Sequence, residues 1–405
     1  MQHPGSIDRS AIWARQNSRL EDLKKRRVAT PNNQQELRDG DLNKIMDRDL
    51  YEATKKGDVE KFINALEKVC ESRKLALWQI FNQVTPSGNS LLHVAASSGS
   101  DDVMELILIH FPHIVTEKNS SEDTPLHVAV QDKRFDATKK LIRQETNLKI
   151  IYSKNKDGKS PLCLAIEKFE FERQPCEEAP WEILRLLLQE SARDEAYEVK
   201  MGMSPILAAI KKRNKDLLKE IIDQLPKLLH VRDEDGGTPL HAAASVGNYK
   251  AIGLLLEECP YLALQTDNNG SYPIHIACES GKFWAIKPLL KDTWPDLAEI
   301  KNEKGQNILH VAAKGGRKIA VRHIIKKCGE PDVIKKLVNS KDVDGNTPVN
   351  LASMHNHIEV KLYLTMAQTT RLQLWNNDRS NNLNVATRIW QILVYFWLLA
   401  VFTFN

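Results

Sequence analysis

The chain has 405 residues, and length alone would suggest two or three globular domains. Its 57 Lys and Arg stand against 53 Asp and Glu, a net charge of +4, too nearly balanced for nucleic acid as the main partner. Cys70, Cys163, Cys176, Cys259, Cys278 and Cys328 show no paired spacing, which excludes a CxxC metal or redox motif and points to reduced thiols in a cytosolic setting.

Residues 1–44 are polar and charged, hold no apolar run of the kind a secretory signal needs, and are expected to be a disordered tail. Lys24-Lys25-Arg26-Arg27 within it reads as a solvated basic run, with a nuclear-import patch as the alternative. The charged stretch LYEATKKGDVEKFINAL (Leu50–Leu66) then opens a series of helix pairs as its polar cap. An extra apolar stretch, LALWQIFNQV (Leu75–Val84), follows.

The unit that repeats is clearest in DGGTPLHAAASVGNYKAIGLLLEEC (Asp235–Cys259). Asp-Gly-Gly makes a turn. Thr238-Pro239 starts a helix, because a hydroxyl can cap free N–H groups and proline has none to waste at the first helical position. Gly247 ends that helix, and a leucine-faced second helix follows. With Pro239 as zero, equivalent positions are Asp49, Leu91, Pro125, Pro161, Pro205, Pro273, Ile308, Pro348 and Asn382, in steps of 34 to 44 residues. One place on is always aliphatic. Four places on is always alanine: Ala53, Ala95, Ala129, Ala165, Ala209, Ala243, Ala277, Ala312, Ala352 and Ala386. Only a small side chain lets a helix lie close to its partner and to the next unit.

TPLHVAV (Thr124–Val130), TPLHAAA (Thr238–Ala244), YPIHIAC (Tyr272–Cys278) and NILHVAA (Asn307–Ala313) carry the core of this pattern, which resembles the ankyrin repeat. The resemblance implies an all-α ankyrin-repeat solenoid over 45–388. It would hold about nine helix-turn-helix repeats, a partial tenth at Asn382, and a short C-terminal apolar helix over 389–405. It also implies that His93, His127, His241, His275 and His310, each two places after zero, tie neighbouring turns by hydrogen bonds. One histidine per unit, about 34 residues apart, is no metal site. His355 and His357 lack a third ligand nearby.

The array is irregular in its middle. The glycine between the helices (Gly57, Gly99, Gly247, Gly281, Gly316, with Asn356 as a substitute) gives way to Lys133, Phe169 and Arg213. The frame from Pro161 also carries a loop insertion, EFERQPCEEAP (Glu170–Pro180). The turns DEDGG, DNNG, NEKG and DVDG are finger tips with turn chemistry, and they lack the closing Glu of a calcium loop.

There is no P-loop, GxGxxG after a strand, GxSxG or HExxH, and Cys163 falls at a buried frame position. No catalytic, cofactor or metal residue is therefore assigned, and a non-enzymatic scaffold is expected. Protein partners should meet the concave face, where side chains six and seven places after zero point. There Lys133, Arg134, Lys168, Lys211, Lys212 and Arg213 form a basic strip suited to an acidic partner segment.

The composition changes abruptly at IWQILVYFWLLAVFTF (Ile389–Phe404), which carries no charge. As a helix its 16 residues would span ~24 Å, short of the ~30 Å hydrocarbon core. Trp390, Tyr395 and Trp397 suit a membrane interface. NILHVAAKGG (Asn307–Gly316), KDVDGNTPVNLAS (Lys341–Ser353) and LQLWNND (Leu372–Asp378) resemble plant ankyrin-transmembrane proteins of the accelerated cell death type. That resemblance implies a scaffold in plant defence or cell-death signalling, at the plasma membrane, associating with related ankyrin-transmembrane proteins. The chain departs from it in lacking the Pro-Gly-Gly motif and in offering one short apolar span. The alternative is a cytoplasmic adaptor whose apolar tail docks on a partner protein.

Overall fold

The computed structural model describes residues 9–25, 44–143, 148–168, 179–202, 204–292, 296–328 and 331–368. Every regular element among them is a helix, apart from one isolated parallel bridge between Ile45 and Val84. The chain divides into two compact units, Met1–Val231 and Arg232–Asn405.

Each unit is a stack of antiparallel helix pairs, as the ankyrin-like pattern implies. In the first unit the inner helices are Arg48–Lys56, Leu91–Ser98, Pro125–Gln131, Pro161–Lys168 and Ser204–Lys212, and the outer ones Val59–Arg73, Asp101–His110, Phe135–Arg143, Ala179–Ala192 and Lys215–Gln224. In the second unit Pro239–Val246, Pro273–Ser280, Ile308–Lys314 and Pro348–Met354 are inner, and Tyr249–Glu258, Phe283–Asp292, Lys318–Cys328 and Ile358–Gln368 outer. Within each unit every inner helix packs on the next inner helix, and every outer helix on the next outer one. The tenth frame at Asn382, its Ala386 and the apolar segment 389–404 lie outside the described residues, as do Phe169 and most of the insertion.

The recurring alanines stand at the seams. Ala95, Ala129, Ala209, Ala243, Ala277, Ala312 and Ala352 are fully buried, and Ala53 and Ala165 nearly so. Leucine and isoleucine beside them fill the space between layers: Leu92, Leu126, Leu162, Ile206, Leu240, Ile274 and Leu309 have no exposed surface. Burial of such side chains, at about 1.5–3 kcal/mol each, holds together helices too short to persist alone.

Three departures from the sequence expectations have physical causes. First, the tail read as disordered contains a helix, α1 (Arg9–Lys25), which packs on Val59–Arg73 and Leu77–Phe81. Its buried face is only Gln16, Leu20 and Leu23, too thin a stripe to show as apolar periodicity. Polar contacts do the rest. The Arg19 guanidinium reaches Glu60 (2.6 Å), Glu67 (2.7 Å) and the Asn64 amide oxygen (2.7 Å). His110, buried, meets Glu21 (2.9 Å) through Nδ1 and Asn17 (3.0 Å) through Nε2. Second, Lys133 (φ 57°) and Arg213 (φ 58°) adopt the left-handed turn that glycine adopts at Gly57, Gly99, Gly247, Gly281 and Gly316. The backbone of the unit is thus kept where the residue type departs. Third, the long step before Pro348 holds an additional helix, Pro331–Asn339, packed on Ile358–Gln368.

Candidate interaction face

The inner helices present their N-termini to the projecting turns, and a histidine ladder fixes that edge. In the repeat of Thr124, the His127 Nδ1 accepts from the Thr124 backbone N–H (3.1 Å) and lies 2.8 Å from its hydroxyl, while Nε2 lies 3.1 Å from the Lys159 carbonyl in the next turn. An N–H can only donate and a carbonyl can only accept. The ring is therefore the neutral tautomer with its proton on Nε2. His93 makes the same contacts to Ser90 and the Asp123 carbonyl (2.8 Å), His241 to Thr238 and the Ser271 carbonyl (2.9 Å), and His310 to Asn307 and the Asn346 carbonyl (3.1 Å). His275 keeps the Tyr272 N–H contact (3.1 Å), but among the described residues its Nε2 has no partner of hydrogen-bond geometry. Burial pushes all five below the ordinary imidazole value, His93 and His275 to about 4. These are structural histidines, and four of them, His93, His127, His241 and His310, link their own helix to the following finger.

The finger turns use their acids internally. Asp233 accepts from the Gly237 N–H (2.6 Å), Asp267 from Asn269 and Ser271 (2.9 and 2.8 Å), and Asp342 from Asn346 (2.7 Å). Among the described residues no three His, Cys, Asp or Glu side chains are placed to hold a metal ion. His357 Nε2 lies 3.1 Å from the Lys314 carbonyl, a helix-end contact. Burial raises the Cys163 and Cys278 thiols, so both are protonated at neutral pH and poor nucleophiles.

The residues expected to form a basic strip sit at the C-terminal ends of three inner helices that pack in succession: Pro125–Gln131, Pro161–Lys168 and Ser204–Lys212. Lys133, Arg134, Lys168, Lys211, Lys212 and Arg213 are all exposed. Cations here also suit the negative end of each helix. Neighbouring acids are in part engaged elsewhere: Glu167 pairs with Lys159 (2.7 Å), and Asp132 accepts from the Ser97 hydroxyl (2.5 Å). Arg134 differs from the rest, because its Nε donates to the Ser97 carbonyl (2.9 Å) and so holds it against the previous repeat.

Arg134 also borders a groove of about 760 Å³ over the first repeats of this unit. Arg48, Tyr51, Lys55, Ser97 and Ser98 also line it, and among the described residues no carboxylate does. Lys55 lies 5.8 Å from the Tyr51 ring centre. The sequence reading passed over this groove by treating the first repeat only as a cap. Yet Lys55 and Lys56 stand six and seven places after Asp49, the offset that found the strip.

Comparison with known proteins agrees with this architecture. A family model described as ankyrin repeats (three copies) matches residues 50–150, 92–176, 176–263, 206–296 and 274–373. Protein ACCELERATED CELL DEATH 6 of Arabidopsis thaliana is 29% identical over 199 residues, covering 38% of this chain and 30% of that protein. The chain thus matches less than a third of that relative's length.

Proposed function

This chain belongs to the ankyrin-repeat family, and from that premise we propose that it is a non-enzymatic scaffold in plant defence or cell-death signalling, held at a membrane, which grips an acidic partner segment through its first unit. Ankyrin repeats are protein-interaction elements; the finer statements are our reading. The observation that carries the partner's charge is the row of exposed cations at the ends of three successive inner helices, continued by Arg48 and Lys55 in the groove over the first repeats. A row of like charge from separate repeats raises the encounter rate with an acidic segment and sets its register. The relative's name supports the signalling setting.

Membrane placement is carried by residues 389–404 in sequence. Among the described residues no helix is long and apolar enough to cross a membrane. A cytoplasmic adaptor whose tail docks on a partner protein, including a related ankyrin-transmembrane protein, is the second reading; Trp390, Tyr395 and Trp397 in that run would equally fill an apolar groove.

The combined variant Lys168→Glu, Lys211→Glu and Lys212→Glu tests the partner reading. It should lose the partners that the parent chain retains in affinity capture, with an unchanged circular-dichroism spectrum. Unchanged capture by a folded variant would remove the basic strip from the proposal. Fractionation of the full chain, with and without residues 389–405, separates the two tail readings. Recovery of the full chain in the soluble fraction would sink membrane placement.

A further inference from the structure

The second unit breaks two surface rules at one edge. Apart from Ala179–Ala192, each outer helix begins just after the left-handed turn that ends the inner helix. In the first unit those first turns carry acids: Glu60, Asp101, Asp136 and Asp216. That is the ordinary arrangement, since a helix N-terminus is the positive end of its dipole. In the second unit the first turns of Tyr249–Glu258, Phe283–Asp292 and Lys318–Cys328 contain no acid. Cations stand there or just before: Lys250 and Lys318 in the first turn, Lys282 and Arg317 immediately ahead of it, all exposed and against the dipole.

The same turns expose large apolar side chains. Tyr249 is 49% exposed, Trp284 62%, Ile319 66% and Ile358 58%. Each is the first or second residue of its outer helix, and the four helices pack in succession. One exposed apolar residue per repeat therefore forms a row, with Tyr249 and Trp284 rings 6.3 Å apart. The one acid in these turns, Glu359, is already paired with Lys318 (3.0 Å). Arg317 is partly engaged through the Glu279 carbonyl (2.7 Å), whereas the side chains of Lys250 and Lys282 make no ion pair or hydrogen bond among the described residues.

We infer that this edge of the second unit rests on an anionic lipid surface. Aromatic and aliphatic side chains interleaved with lysines are the composition of a membrane-interface contact, the rings entering the headgroup layer and the cations meeting lipid phosphates and carboxylates. A row of single residues, one per repeat, offers a plane many equal contacts and offers a folded partner no pocket. The sequence after the last outer helix leads to the uncharged, Trp- and Tyr-bearing run 389–404, a second element with affinity for the same phase. The inference deepens the membrane reading above and rests on it for the presence of a bilayer. It adds that the second unit itself lies on the lipid, where the tail alone would leave it free.

The test is hydroxyl-radical footprinting of the full chain with phosphatidylserine-containing vesicles, with phosphatidylcholine vesicles and without lipid. Tyr249, Trp284 and Ile319 should be protected by the anionic vesicles only. Lys250→Gln with Lys282→Gln, or Trp284→Ser with Ile319→Ser, should weaken vesicle binding about tenfold and abolish the protection. These side chains are exposed, so the variants keep the fold, and circular dichroism checks this. A tail variant, Leu398→Arg with Leu399→Arg, separates the two readings. Protection of the row that survives in the tail variant supports the inference independently. If the chain binds vesicles while Trp284 and Ile319 stay as reactive as in solution, and the tail variant no longer binds, the inference is overturned and tail anchoring stands. Absence of binding to any vesicle overturns both. Protection without lipid that grows with chain concentration overturns it too, and makes the row a contact between copies.

Discussion

The histidine ladder makes the array acid-labile by an amount that follows from its geometry. His93 is almost wholly buried, its Nδ1 faces the Ser90 N–H at 3.2 Å, and its Nε2 meets the Asp123 carbonyl at 2.8 Å. A proton added to Nδ1 would confront an N–H donor, and the resulting cation would be buried. Burial accordingly pushes its pKa down from 6.5 to about 4. A depressed folded-state value means that the unfolded chain binds the proton more readily. The stability is therefore fully present above the unfolded value of 6.5 and is lost as the pH falls toward 4. At about pH 5 one such histidine should cost about 2 kcal/mol relative to neutral pH. His275, at about 4, should add a similar loss to the second unit, and His127, His241 and His310 shift in the same direction. The assay is urea unfolding of the full chain at about pH 7.5 and about pH 5, compared with the variant His93→Asn. Asparagine can accept and donate at this site but cannot titrate. It should cost about 1 kcal/mol at neutral pH, and its loss between the two pH values should be about 2 kcal/mol smaller than that of the parent. Glu117 and Asp101, whose carboxyls are raised by burial, have the opposite sign and cancel in this comparison. Equal acid losses in parent and variant would refute the assignment of a neutral, buried His93.

Other consequences are equally direct. Lys133→Gly and Arg213→Gly should each stabilise the first unit by about 1 kcal/mol in urea unfolding, because both residues hold a left-handed conformation that glycine adopts without cost. Gly247→Ala should lose a similar amount: φ there is +73°, and an added Cβ would sit 3.0 Å from the Lys282 side chain. Ala277→Leu should cost about 1–3 kcal/mol, since the site is fully buried between successive inner helices. Leu20→Ala should loosen α1, seen as faster hydrogen exchange over 9–25 with no change across the repeats of the second unit. If exchange in α1 is unchanged, its seat on Val59–Arg73 is not held by that side chain.

The repeat was legible because each of its physical requirements recurs. Ala243 needs to be small for the same reason as Ala277 and Ala312, and His127 links two turns just as His241 does, so one requirement is written many times at a constant spacing. The placement of Lys168 and Lys211 at inner-helix ends followed from the same counting. The rest was not legible, because it depends on contacts made once. The Arg19–Glu67 pair joins residues 48 apart, and the contact of His110 with Asn17 joins residues 93 apart. Neither has a period, so a helix that uses them looks like a polar tail. The left-handed turn at Lys133 and Arg213 was likewise decided by the helices on either side, which over-determine the backbone whatever the residue prefers.

By itself, then, the sequence determined the unit and the inner and outer helices of the nine copies from Asp49 to Pro348, since the pattern of alanine, leucine and turn residues is local and repeated. Only the tertiary structure decided that α1 belongs to the array, that Arg48 and Lys55 line a groove with Arg134, and that Tyr249, Trp284, Ile319 and Ile358 are left outside as a row. An apolar residue at the start of a helix reads the same whether it is covered or bare. Its exposure depends on what the neighbouring helices leave uncovered, and no local sequence pattern records that.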